Sequence, residues 1–516
     1  MRTHIDSPRR LLGIIGLAAL FFTSMGAPGC ASADRIRILH TNDIHSHQDS
    51  YDDFRNGQHR PGTGGAPRRA GLINAQRSEG VPTLLLDAGD VFQGTPYFNF
   101  FQGRLDYQLM AMLKYDVGCL GNHDLDRGYL HQAELMPLAG CPILSANVRV
   151  PLEGDSTQTR SLWPADTMVT VGGHKLGIFG LTTEALVAIT DKRRNPGLRV
   201  YPVDPISRGE VKKLRDAGAE MVVALTHLGL QEDSTLAAHV PGIDLIVGGH
   251  SHTFLYKARM VAQADAANGW GGTAIVQTGR YGVNLGRLDV DFVDHRPSAF
   301  EYKLLPIDTT SAEDPAVAAF LRPYKATVDS AMGAVVGTAL GDFSQSESGH
   351  SETAIGNLVA DVLREGTQSD IGLENWGGIR ASISKGPIHI GDVFTVLPFD
   401  NEVLQARYTG AQIKVLFDYI ARTNISRGRG QISGASFVQT PQGADSVLVG
   451  GKSLDPSASY TLGTTDFLYE GGDGFVMLPA GTGKVATGRM LRDIMVDYIR
   501  KHGTIQPVLD GRLRTH

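Results

Sequence analysis

Five short apolar runs in the first half of the chain each stop at a cluster of His, Asp or Asn. That repetition constrains the fold more than any other feature. Residues 36–39 lead into His40-Thr41-Asn42-Asp43-Ile44-His45, and residues 83–86 into Asp87-Ala88-Gly89-Asp90. Residues 116–120 lead into Gly121-Asn122-His123-Asp124, residues 221–225 into Thr226-His227, and residues 243–247 into Gly248-Gly249-His250-Ser251-His252. Apolar runs this short, bounded by turn-forming residues, read as buried strands. Helical patterns over 105–113 and 206–217 lie between some of them. Strands alternating with helices predict an α/β layered fold. Ligand sites in such folds gather beyond the carboxyl ends of the strands, so the five clusters are expected to converge at one edge of a sheet.

Imidazole and carboxylate donors together suit Zn, Mn, Fe, Co or Ni, whereas all-oxygen sets suit Ca or Mg. The clusters offer more donors than one tetrahedral ion needs, which points to two divalent ions sharing a carboxylate. Two ions ~3.5–4 Å apart can clamp the attacking and leaving oxygens of a displacement at phosphorus. They also make water acidic enough to attack, and no protein nucleophile is required.

The amino terminus carries different information. Arg2, Arg9 and Arg10 precede an apolar run over 11–22 that is too short to span a bilayer, which needs about 20 residues. It fits an export signal, placing the protein in the periplasm or at the cell surface. Gly29-Cys30 resembles a lipoprotein cleavage site at which Cys30 would be acylated and attach the chain to a membrane, while Ala27 and Pro28 keep plain cleavage equally open. Cys119 and Cys141 read as two buried thiols on neighbouring strands, with a disulfide as the alternative. A net charge of −6, with no long basic run, argues against a nucleic-acid polymer as partner. No protein partner is evident. The stretch 57–67, rich in Gly, Pro and Arg, predicts a mobile loop.

An amphipathic helix is predicted over 314–332, capped by Asp314 ahead of Pro315, with Val317, Phe320, Leu321, Tyr324 and Val328 on one stripe. Beyond it come a helix over 355–363 and then short strands and Gly-rich turns. Two clusters stand out: Asn375-Trp376-Gly377-Gly378-Ile379-Arg380, and the stretch 466–475 containing Phe467 and Asp473. Between them lies Leu397-Pro398-Phe399-Asp400-Asn401. Two aromatic rings and a carboxylate suit a nucleoside, with rings on the base and the carboxylate on ribose hydroxyls, and an Arg can grip phosphate.

The metal-type clusters, in this order, resemble those of the calcineurin-like metallophosphoesterases, and more closely their 5′-nucleotidase and UDP-sugar hydrolase branch, over roughly residues 35–477. The resemblance implies a four-layer α/β/β/α domain over 34–312, a linker helix over 313–333 and a smaller α/β substrate-binding domain over 334–516, after a signal peptide over 1–30. It implies that Asp43, His45 and His252 hold one ion, that Asn122, His227 and His250 hold the second, and that Asp90 bridges them. His123 with Asp126 matches the family's catalytic pair. Phe399 and Phe467 would stack on a base, Asp473 would hold ribose, and Asn375, Arg380 and Asn401 would contact phosphate or nucleoside polar groups. The activity implied is hydrolysis of nucleoside 5′-monophosphates or nucleotide sugars with two ions such as Zn, Mn or Co. The alternatives are a 2′,3′-cyclic nucleotide phosphodiesterase with 3′-nucleotidase activity and a nucleotide-binding protein without turnover. Histidines 40, 47 and 174 are expected to be satisfied or solvent-facing, and Asp87 and Asp124 to cap backbone or bind water. Two departures reshape the pocket: Gly349-His350-Ser351 stands where the family has an Arg, and Trp376 replaces a small residue.

Overall fold

Two six-stranded sheets packed face to face form the first lobe, in a computed structural model that describes residues 34–55, 58–264, 266–345, 352–423 and 430–515. The expected signal segment with Cys30, and the departure at Gly349-His350-Ser351, lie outside the described residues. The first sheet runs in spatial order Arg296–Pro306, Asn284–Val293, Asp34–Thr41, Thr83–Asp87, Val117–Cys119 and Ile143–Leu144. The second runs Arg259–Ala262, Gly272–Val276, Leu245–Gly248, Met221–His227, His174–Thr182 and Asp166–Val171. The inner strands of both are parallel.

Alternation along each strand explains the four layers. Leu84 and Leu86 join Ile36, Ile38, Val223, Leu225 and Val247 between the sheets, while Leu85 turns outward to the helices carrying Ile73 and Leu109. On the other side Val222 and Ala224 meet Val211, Leu214 and Leu236 of the helices Val203–Asp216 and Leu230–His239. Both faces of these strands are buried, which is why they read as continuous apolar runs. The carboxyl ends of strands in both sheets carry the polar clusters, so the clusters meet across two sheets and not at one edge of a single sheet as expected. Register places Thr41 beside Asp87 in the first sheet and Thr182 beside His227 in the second.

The stretch expected to be a mobile loop is ordered. Gln58–Gly64 pairs antiparallel with Ser50–Arg55, and the helix Ala66–Ser78 follows directly. Pairing of this hairpin, with Gly64 also donating its N–H to the Ile307 carbonyl at 2.8 Å, satisfies backbone that composition alone assigned to solvent. Residue 57 itself lies outside the described residues. Cys119 and Cys141 are free thiols.

The helix Pro315–Met332 begins where predicted. Asp314 accepts from the N–H groups of Ala316 and Val317, each at 2.9 Å. Its residues Val317, Leu321 and Val328 are buried in the first lobe's outer core, with Phe320 and Tyr324 packed beside them. The second lobe centres on a five-stranded sheet in the order Gly430–Ser433, Ile371–Asn375, Ser459–Thr465, Glu402–Thr409 and Thr482–Met490. The helix Ala354–Thr367 covers it, capped by the Thr353 hydroxyl on the Gly356 N–H. Residues Asp34–His516 pack as one unit. No helix among the described residues is long and apolar enough to cross a membrane.

Candidate functional site

The chain reverses tightly after each strand that feeds the site. Asp43, His45, Asp90, His250 and His252 all take positive φ, between 50° and 73°. Non-glycine residues adopt this region at a cost, and such strain gathers at functional sites. Close packing of the turns demands glycine at Gly121, where a Cβ would lie 2.1 Å from the Asp90 nitrogen. Asp124 fastens the same turns together, accepting from the N–H groups of Val91, Phe92 and Gly121 at 2.8–3.1 Å. Asp87 does similar work, accepting from the Thr41 hydroxyl and the Gly89 N–H.

Seven of the predicted donors come together. The His45 and His252 Nε2 atoms lie 3.1 Å apart, and His252 Nε2 lies 3.3 Å from Asp43 Oδ1. On the other side His227 Nε2 is 3.0 Å from Asp90 Oδ2 and 3.2 Å from Asn122 Oδ1, which also faces His250 Nδ1 at 2.9 Å. Asp90 Oδ2 is 3.6 Å from His45 Nε2, so this carboxylate stands between the two groups. Asp43, His45 and His252 form one cluster able to hold a metal, and Asp90, His227 and His250 another.

Local hydrogen bonds fix the tautomers. His45 Nδ1 faces the carbonyls of Phe92 and Gln93, and His227 Nδ1 faces that of Ala88 at 2.7 Å. A carbonyl can only accept, so each Nδ1 carries a proton and each Nε2 is the nitrogen that faces inward. Charge points the same way. Burial holds His45, His250 and His252 below the usual histidine range, which keeps them neutral and ligand-ready. Burial also opposes charge on His227, yet the Asp90 carboxylate outweighs it and lifts this imidazole to about 10. A proton thus supplies the positive charge the buried carboxylates demand, in the place where a cation's charge would serve. The donor set therefore fits divalent metal.

Beside it, His123 Nδ1 lies 2.9 Å from Oδ2 of Asp126, the residue that caps the carboxyl end of the 3₁₀ segment His123–Leu125. The His123 N–H donates to Asp90 Oδ1 at 2.8 Å, tying this pair to the donor set. Burial would lower the His123 pKa, but Asp126 and Asp90 reverse that and raise it.

The second lobe reaches this centre directly. Arg380 Nη2 lies 3.5 Å from His45 Nε2, and its guanidinium sits 5.9 Å above the Phe399 ring. Phe399 in turn stacks on His123 at 5.5 Å and 28°. Asn375 Nδ2 donates to Asp473 Oδ2 at 2.6 Å, and burial pushes that carboxyl above its ordinary value. A cavity of about 590 Å³ is lined by Asn122, His123, Asp126 and His250 from one lobe, and by Asn375, Arg380, Phe399, Asn401, Phe467 and Asp473 from the other. Trp376 lines it as well. Asp43, His45, Asp90, His227 and His252 are not among its lining residues.

Tyr281 belongs to the site but was not singled out from sequence. It takes φ +61°, donates its N–H to the Asp43 carbonyl at 2.6 Å, and donates its hydroxyl to the Arg380 carbonyl at 3.2 Å. The signal was available, because Gly279-Arg280-Tyr281-Gly282 follows another apolar run, Ala274-Ile275-Val276. Arg127 was also missed; it pairs with Asp400 across the lobes at 2.8 Å. His47 is satisfied by backbone carbonyls and stacks on Tyr281 at 4.0 Å. His174 pairs with Glu220. His40 departs from expectation, being fully buried with neither ring nitrogen partnered, and burial pushes it down to about 3.

Comparison with known proteins matches this architecture. Residues 36–254 match the family model of the calcineurin-like phosphoesterases, and residues 335–480 that of the 5′-nucleotidase C-terminal domain. The snake venom 5′-nucleotidase of Crotalus adamanteus is 30% identical, with 98% of this chain and 93% of that protein covered. The chain belongs to the 5′-nucleotidase family. As a member it is a phosphoesterase with candidate metal-binding groups. The trifunctional nucleotide phosphoesterase protein YfkN of Bacillus subtilis is 29% identical over 93% of this chain, which spans only 35% of that longer protein. The 5′-nucleotidase precursor of Thermus thermophilus superposes with a TM-score of 0.85 at 31% identity, covering 93% of this chain and 99% of that one.

Proposed function

We propose that this family member is an exported, metal-dependent hydrolase that releases phosphate from nucleoside 5′-monophosphates. One observation carries the proposal: the His123–Asp126 pair, Arg380 and the candidate nucleoside residues share one cavity at the rim of the Asp/His donor set. Asp43, His45 and His252 would hold one divalent ion, Asn122, His227 and His250 a second, with Asp90 between them. Such ions, when bound, supply Lewis acidity toward water and toward phosphoryl oxygens.

The chain's own groups do the rest. Asp126 accepts from His123 Nδ1, orients the ring and favours its protonated form, so His123 can donate a hydrogen bond to a phosphoryl or leaving oxygen. Arg380 offers a planar fork matched to phosphate. Phe399 and Phe467 present faces for a base, and Asp473, held by Asn375, accepts from ribose hydroxyls. Asn401 supplies a further polar group on the cavity wall. The function divides along the chain: 34–312 for hydrolysis, 334–516 for substrate binding, and 313–333 as the joining helix. Export rests on the basic-then-apolar leader and on the venom origin named for a relative.

The test is phosphate release from AMP, UDP-glucose and 2′,3′-cyclic AMP, each with and without chelator. The expected result is release from AMP that chelator abolishes and Zn, Mn or Co restores. Release from 2′,3′-cyclic AMP but not AMP would replace the proposal with cyclic phosphodiesterase activity. Release from none, with metal bound, would leave a binding protein.

A further inference from the structure

A second set of metal-type donors lies at the far end of the two-sheet sandwich. His174 opens the strand His174–Thr182, Glu220 immediately precedes Met221–His227, and His295 sits in the turn joining Asn284–Val293 to Arg296–Pro306. The candidate active centre lies beyond Thr182, eight residues along the same strand and so about 26 Å away. His174 and Glu220 therefore belong to the second sheet and His295 to the first, and the three residues meet across the gap between the sheets.

Their geometry is specific. His174 Nδ1 is 2.6 Å from one Glu220 oxygen, and His295 Nδ1 is 3.1 Å from the other. All three donor atoms lie within 4.8 Å of one another. The His174 ring is buried and stacks on Phe292 at 3.9 Å, with its Nε2 enclosed and unpartnered, so Nδ1 is its one atom placed for coordination. The Glu220 backbone is fixed by its N–H on the Lys175 carbonyl at 2.8 Å. His295 is the exposed member. It follows Asp294 in a two-residue turn in which both residues take positive φ, 48° and 61°. Hairpin turns of this kind favour glycine at the second position. An imidazole here accepts a strained backbone and is aimed back at Glu220.

We propose that His174, Glu220 and His295 form a zinc site that staples the hairpin of the first sheet to the second sheet. Two imidazoles and one carboxylate are a ligand set zinc takes, leaving one position for water. Zn–ligand bonds of about 2.0–2.2 Å place tetrahedral ligand atoms roughly 3.3–3.6 Å apart. The His295–Glu220 contact of 3.1 Å approaches that spacing, while the 2.6 Å contact to buried His174 must open, which requires the part-exposed Glu220 carboxylate to turn as His295 rotates. Zinc takes the Nδ1 lone pairs of the two imidazoles in place of their hydrogen bonds to Glu220, the single proton of each neutral ring moving to Nε2. An imidazole that starts protonated releases one proton on loading. A ligand that binds only the folded chain stabilises it.

The experiment compares the full-length protein with His295→Asn and Glu220→Gln after equilibration with Zn²⁺. Asn tolerates the left-handed turn position but cannot replace imidazole, and Glu220→Gln removes the shared carboxylate without touching the turn. The expected result is one zinc fewer per chain in each variant by elemental analysis, together with a smaller zinc-induced rise in Tm. Phosphate release from AMP should be unchanged, because the candidate active centre is at the opposite end. Equal zinc content and equal zinc response in all three proteins would overturn the site and leave a hydrogen-bonded triad. A fall in Tm of the same size with and without zinc would overturn it equally.

Discussion

Asp126→Asn tests whether His123 works alone or as half of a pair. The carboxylate lies 2.9 Å from His123 Nδ1 and helps raise that imidazole's pKa against the effect of burial. Asparagine can still accept from Nδ1, so the ring keeps its orientation but loses the charge behind it. A hydrogen bond to a charged group is worth about 1.5–3 kcal/mol. At about 1.36 kcal/mol per decade, the variant should lose roughly 10- to 100-fold in kcat/KM. His123→Ala removes the acid itself and should lose roughly 10²- to 10⁴-fold, the range for general acid–base catalysis. Because Asp126 acts through His123, the double variant should be no slower than His123→Ala alone. The assay is phosphate release from AMP across the four proteins, with metal content measured on each. If the losses multiplied in the double variant, Asp126 would have a role independent of His123. Loss of metal in His123→Ala would make His123 a ligand, contrary to the assignment.

Phe467→Ala should raise KM for AMP by roughly 5- to 100-fold, since stacking a base on an aromatic ring is worth about 1–3 kcal/mol, while p-nitrophenyl phosphate keeps its KM; equal damage to both would remove the stacking role. Tyr281→Phe deletes the hydroxyl that joins the first lobe to the Arg380 carbonyl. With about 1 kcal/mol at stake, KM for AMP should rise about five-fold at unchanged metal content, and an unchanged KM would mean Arg380 is positioned by its own lobe alone. Arg37 and Asp289 stand directly opposite one another on antiparallel strands, buried and 2.7 Å apart. Burial works against the Asp289 carboxylate, but Arg37 and Arg287 prevail and hold its pKa below the usual range. A depressed carboxyl contributes stability above its unfolded pKa of about 3.9 that disappears as pH falls through the lower folded value. Asp289→Asn should therefore cost about 3 kcal/mol at neutral pH, with Glu79 remaining as a partner for Arg37, and should flatten the loss of stability below about pH 4. Identical acid unfolding curves for the two proteins would contradict this.

Much of the candidate site was legible in the chain because its chemistry resides in residue type and order. Asp43-Ile44-His45, Gly121-Asn122-His123-Asp124 and His250-Ser251-His252 each pack donors into a few residues, and an apolar strand before each fixes which end of the sheet it occupies. The Asp314 cap ahead of Pro315 likewise encodes a helix start locally. Local composition misled over 57–67, where Gly and Pro suggested a loop and the long-range partner, Ser50–Arg55, made a hairpin. Tyr281 was overlooked because its contacts run to Asp43 and Arg380, far away along the chain, and a tyrosine carries no metal-ligand signature.

The order of donors along the polymer thus settled which chemistry this protein can perform, since a side chain's affinity for metal or phosphate is intrinsic to it. Folding decided where that chemistry is assembled. Two sheets rather than one supply the donors, because parallel strands in separate sheets can aim their carboxyl ends at a common point. Arg380 and Phe399 stand against His45 and His123 only because the second lobe closes over the first. His174, Glu220 and His295, 46 and 75 residues apart in sequence, share no motif at all. Only the stacking of one sheet on the other brings them together, and sheet packing is cooperative over the whole core rather than written in any single segment.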